Sequence, residues 1–158
     1  MSQAIEKSHG LYMEDLHLGQ RFVSGTHHMD ETKIKEFARE FDPQPFHLNE
    51  AAAKASVFGG LAASGWHTAS VAMRLLVDGG LPFGNGIIGL GGDLTWPKPT
   101  RHGDTLHVES EILEIVPSRS KPNQAIVKVR STTLNQNGEA VHSFTSKCLV
   151  FKRPQPPE

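Results

Sequence analysis

The sequence has one cysteine, Cys148, so no disulfide can form within the chain. It also lacks an excess of charge: Lys and Arg number 16 against 17 Asp and Glu, which leaves no electrostatic case for a nucleic-acid or membrane-surface partner. No apolar run approaches the length that crosses a bilayer, and the opening MSQAIEKSHG is charged without an apolar centre. Neither a membrane span nor a signal peptide is therefore expected. A reducing cytoplasmic setting is the corresponding expectation. A chain of 158 residues can bury a core without covalent staples, so we expect one domain over 1–158, with its core at about 16–152 and loosely ordered ends. One local absence carries further: from Ala55 through Val77 there is no Asp or Glu.

What is present divides into two unlike parts. Up to about Gly80 the chain is alanine-rich and helical in pattern. Asp30 is placed to cap a helix from Glu31 to Phe41, where Ile34, Phe37, Ala38 and Phe41 recur at helical spacing. Asp42-Pro43 ends it, because the residue before proline is pushed out of the α region. A short alanine-rich turn or two follows from Asn49-Glu50. The segment SGWHTASVAMRLLVDGG then predicts a helix capped by Ser64 and stopped at Gly79-Gly80. It is apolar on most sides, the pattern of a helix wrapped by other structure. Beyond Gly80, β-branched residues and turn signals predict strands over 87–96, 105–116, 124–134 and 139–152, the last two joined by Asn135-Gln136-Asn137-Gly138. An earlier strand is expected around 21–29. A long buried helix and an antiparallel meander pack together when the sheet curls around the helix, which makes the fold class α+β of the hotdog type.

The stretch FDPQPFH, residues 41–47, mounts an aspartate and a histidine five residues apart across two prolines. Prolines 43 and 45 restrict the backbone between Asp42 and His47, so the two side chains are held in a fixed relation. Either residue alone has a plainer reading. An Asp-Pro at a helix end is commonly a terminator, and with nine histidines present most serve packing or surface. His27-His28 has no partner at metal-ligand spacing and reads as a strand edge, so no metal site is expected. Lys98, Arg101, Arg119 and Lys121 read individually as solvated charge, or as contacts for phosphates.

Three stretches together, FDPQPFH (41–47), FGGLAASGWHTASVAMRL (58–75) and WPKPTRHGDTL (96–106), resemble the MaoC-like dehydratases, which include R-specific enoyl-CoA hydratases. The resemblance spans roughly Leu16 to Lys152. It implies reversible syn hydration of a trans-2-enoyl-CoA to an R-3-hydroxyacyl-CoA, with Asp42 and His47 sharing one water. It implies no cofactor beyond the coenzyme A that is part of the substrate, and a homodimer or higher homo-oligomer. The thioester oxygen needs a donor. Gly65 offers a backbone N–H at a helix N-terminus, with no side chain to obstruct the approach. Substrate-binding positions expected around these three are Gln44, Phe46, Gly60, Ser64, Trp66 and His67. The chain departs from the usual family pattern at Gln44, where Asn is common, and at Ser64, where His is common.

Two other readings stay open. An acyl-CoA thioesterase on the same fold often carries an acid on or just before the central helix, which the carboxylate-free run from Ala55 to Val77 does not supply. A non-catalytic acyl-CoA-binding or partner protein is the third, and the Asp42/His47 pair counts against it.

Overall fold

A computed structural model of the chain describes residues 10–155. Among these, six strands form an antiparallel sheet that holds one long helix against its concave face. The first strand region is split. β1 (Arg21–Val23) pairs with Glu109–Glu111 of β4 (Thr105–Pro117), and β2 (His27–His28) pairs with its start. Between them the Ser24 hydroxyl accepts the Val108 N–H at 2.7 Å, a side-chain substitute for a ladder bond that lets the edge bend. The remaining order is β4, β5 (Gln124–Leu134), β6 (Ala140–Phe151) and β3 (Ile88–Thr95).

Alternation decides which face is inside. Leu106, Val108 and Ile112 on β4, Ala125, Val127 and Val129 on β5, and Cys148 and Val150 on β6 are all buried, as period-two side chains on one face must be. The turn into β6 obeys its sequence: Gly138 takes φ 74°, and the Asn135 side chain accepts the Asn137 and Glu139 N–H groups.

The helical half follows its caps. α1 (Glu31–Phe41) starts at Asp30, whose carboxylate accepts the Thr32 N–H at 2.7 Å, and ends at Asp42. Two short helices follow, α2 (Pro45–Leu48) and α3 (Glu50–Lys54). α4 (Gly65–Leu75) begins at Ser64 and runs into a π-helical turn over Leu76–Gly80, where Gly79 at φ 140° breaks the helix. The expected all-round burial of α4 is corrected here. His67, Thr68, Val71, Ala72 and Leu75 are buried, while Trp66 (59% exposed), Met73 (40%) and Val77 (64%) form an uncovered apolar stripe. One sheet layer covers one side of a helix, and the sequence pattern alone does not say what covers the other.

The expectation of loose ends falls outside the described residues for 1–9 and 156–158. Arg153 departs from it. Its N–H donates to Glu14, its guanidinium pairs with Asp15, and it lies 5.1 Å from the centre of the Tyr12 ring. No helix among the described residues is long and apolar enough to cross a membrane.

Candidate functional site

The site is built by the end of α1, the turn into α2, and the first turn of α4. Asp42 sits at the C-cap of α1, and the Gln44 N–H returns to the Asp42 carbonyl at 2.8 Å across Pro43. Pro45 then occupies the first turn of α2, where its missing N–H costs nothing, and one turn of helix carries His47 inward. The imidazole is buried, with Nδ1 2.6 Å from the Ala62 carbonyl oxygen. A carbonyl only accepts, so Nδ1 carries a proton, and Nε2 is the nitrogen that faces Asp42. Nε2 lies 3.3 Å from Asp42 Oδ2. Two atoms at that separation leave room for one water oxygen within hydrogen-bond reach of both.

Two further groups fix the carboxylate. The Ser64 hydroxyl donates to Asp42 Oδ2 at 2.7 Å, and the Gln44 amide donates to Oδ1 at 2.6 Å. Burial pushes the Asp42 carboxyl up, but the hydrogen bonds from Ser64 and Gln44 and the adjacent His47 together outweigh it and hold it below the ordinary carboxylate range. Asp42 therefore stays ionised. The Ser64 oxygen also accepts the Trp66 N–H at 3.3 Å, so one serine both caps α4 and ties its N-terminus to the acid.

Ser64→Ala accordingly raises the Asp42 midpoint, read by carbon NMR of the carboxyl group during titration. The depressed folded value makes Asp42 a stabilising carboxylate above the ordinary range, and that contribution fades as pH falls through the folded value. In Ser64→Ala the fading begins at higher pH, and the lost cap costs about 1 kcal/mol. An unmoved midpoint would show that the Ser64 bond does not tune the acid.

A cavity of about 350 Å³ opens beside this pair, lined by Gln44, Phe46, His47 and Gly65, with Trp96, Thr68 and Thr100 among its other walls. Asp42 is not in its lining and reaches it through His47. The Gly65 N–H has no acceptor among the described residues, as the geometry of a first helical residue dictates. Gly65 is bare for a different reason than expected. A Cβ there would lie 2.9 Å from the Trp96 ring, so the indole already fills that space.

Of the other expected positions, Phe46 is a wall and packs against His47 and Phe58 at 4.7 and 5.0 Å between ring centres. Ser64 holds Asp42 instead of lining the cavity. Trp66 lies on the outer face of α4 and meets Trp96 edge-on at 5.4 Å. His67 stacks flat on Phe37 at 4.8 Å, away from the cavity, and burial followed by the charge of His27 lowers its pKa. Gly60 serves through its carbonyl, which accepts from Arg101 at 2.8 Å. The sequence reading missed Phe58, Thr68, Trp96 and Thr100. Their convergence depends on how the loop after β3 crosses the start of α4, which no spacing encodes. A second cavity of about 630 Å³ at the other end of α4 has Asp78, paired to Arg74, as its titratable side chain, so the acid–base groups lie in the smaller one.

Of the basic residues, Arg101 is internal: its guanidinium donates to the carbonyls of Phe58, Gly60 and Leu61. Lys98 lines the cavity and pairs with Glu139. Arg101→Met strands three carbonyls that a charged fork now satisfies. It should cost about 2–3 kcal/mol, measured by denaturant unfolding. A loss under about half a kilocalorie would mean that water replaces the guanidinium.

Among the described residues no three or more His, Cys, Asp or Glu side chains gather to hold a metal ion. Comparison with known proteins fits the geometry. The crystal structure of a MaoC-like dehydratase from Rhodospirillum rubrum is 60% identical and superposes with a TM-score of 0.92, covering 92% of this chain and 100% of that one. An uncharacterized Bacillus subtilis protein, YdeM, is 32% identical over 87% of this chain and 97% of its own. A 3-hydroxybutyryl-CoA dehydratase of Methylorubrum extorquens is 30% identical over 87% and 86%. A model of the MaoC like domain matches residues 17–135, and the chain belongs to the MaoC-like dehydratase family.

Proposed function

We propose that the protein adds water reversibly to a trans-2-enoyl-CoA, giving an R-3-hydroxyacyl-CoA. The observation that carries this is the 3.3 Å approach of Asp42 Oδ2 and His47 Nε2 beside a cavity that Gly65 also lines. Its support from relatives is the similarity to the 3-hydroxybutyryl-CoA dehydratase.

Hydration places a hydroxyl on the β carbon and a proton on the α carbon, while negative charge develops on the thioester oxygen. One water bound between the pair loses its proton to His47 Nε2 as its oxygen attacks the β carbon. Asp42, held ionised by Ser64 and Gln44, orients that water and offsets the imidazolium charge. The Gly65 N–H receives the enolate oxygen, helped by the positive end of α4. The proton then passes from the pair to the α carbon on the same face, so that H and OH come from one side. The R configuration is what the family resemblance implies.

Crotonyl-CoA and longer trans-2-enoyl-CoAs separate the readings. The hydratase removes the conjugated-enoyl absorbance without releasing thiol. Thiol release would establish the thioesterase instead, and silence in both channels with intact binding would leave a binding protein. We further read the exposed stripe of Trp66, Met73 and Val77, with the edge of β3 that β6 leaves free, as the surface covered by a second copy. Light scattering should return at least twice the chain mass, and a monomer at micromolar concentration would sink that assignment.

A further inference from the structure

Trp96, the residue after β3, is tied to Gly65 in two independent ways. Its indole N–H donates to the Gly65 carbonyl at 2.8 Å, and its ring occupies the space where a Cβ on Gly65 would stand. The ring is braced in turn by Trp66, edge-on at 5.4 Å, and by the buried His142 of β6 at 5.8 Å. Glycine is the residue whose backbone is least restrained by its own side chain. At Gly65 that freedom falls on the residue whose N–H must face the thioester oxygen. The Ser64 carbonyl accepts from the His67 and Thr68 N–H groups, which pins the peptide plane before Gly65. The indole pins the plane after it.

We propose that Trp96 is a positioning residue for the Gly65 amide: it supplies, from just beyond β3, the restraint on the Gly65 backbone that a Cβ would have given, and so holds the first turn of α4 in the place that presents the N–H. This rests on the reading that the amide takes the thioester oxygen. It assigns a role to a residue that touches neither Asp42 nor His47.

A spectroscopic readout separates positioning from mere packing. In Asp42→Asn, crotonyl-CoA isotope-labelled at the thioester carbonyl should bind with its C=O stretch lowered from the free value. Adding Trp96→Phe, which keeps a ring and removes the N–H, should return the band part of the way while affinity changes by less than about twofold. In the otherwise intact enzyme, Trp96→Phe should lower kcat roughly tenfold with KM nearly unchanged, the signature of a donor misdirected in the transition state. Trp96→His, which can offer an N–H again, should recover part of that loss, and Trp96→Leu should not. If Trp96→Phe fails to fold by circular dichroism, the His and Leu pair carries the same comparison. A band and kcat unmoved by Trp96→Phe, or a loss confined to KM or to melting temperature, would overturn the positioning role. A band unshifted even with Trp96 intact would overturn the Gly65 reading itself, and the proposal with it.

Discussion

Asp42→Asn and His47→Ala should each lower the hydration of crotonyl-CoA by about a thousandfold, the scale of losing a positioned acid–base group. The two fail for different reasons. Asparagine is isosteric with the aspartate it replaces, but Asp42 receives one hydrogen bond from Ser64 on Oδ2 and another from Gln44 on Oδ1. An amide has one oxygen, so its NH₂ must face Ser64 or Gln44, and that partner has to turn from donor to acceptor. The water also loses the negative charge that orients it. His47→Ala removes the proton acceptor and leaves the Ala62 carbonyl without its Nδ1–H partner. Initial rates of enoyl absorbance loss, with circular dichroism to confirm folding, decide the matter. Turnover within about tenfold of the intact protein in both variants would exclude the pair from the chemistry.

The elements were legible in the sequence wherever a local rule governs them. Asp30 and Ser64 act as written because a helix cap is decided within three residues, whereas the helical turn Pro45–Leu48 reads in the sequence only as a rigid turn. The β-sheet was legible because alternation of Val, Ile and Leu with polar residues is a period-two signal. The Asp42/His47 pair was visible for the same reason, since a five-residue turn fixed by two prolines is local. What was not legible is non-local. Trp66 and His67 are neighbours of Gly65 in the chain, yet the helix turns them to the outside and onto Phe37. Trp96 and Thr100, far along the chain from Gly65, arrive at the cavity because β3 ends over the start of α4. Ser64 was expected among the substrate-binding positions, and its hydroxyl instead binds the acid twenty-two residues earlier. A side chain's identity can be read from the sequence, whereas its direction depends on which element crosses it.

That dependence gives Gly65→Ala an expected effect whose sign belongs to another residue. Gly65 has no positive φ and is the first residue of α4, so by backbone preference alone alanine there should be neutral or stabilise the chain by up to about 1 kcal/mol. The new methyl would instead stand 2.9 Å from two atoms of the Trp96 ring, and the ring is held by its bond to the Gly65 carbonyl and by Trp66 and His142. Overpacking against a braced ring costs about 1–3 kcal/mol and prevails over the helical preference. Whichever part yields, the first turn of α4 or the indole, the amide moves, and hydration should fall about a hundredfold. In a Trp96→Ala background the obstruction is gone. The same Gly65→Ala change should there be neutral or stabilising, although Trp96→Ala alone is less stable than the starting protein. Denaturant midpoints of the four proteins test the reversal without any assay of activity. Equal costs in both backgrounds would show that the indole does not set the requirement for glycine, and that the obstruction lies in the helix itself.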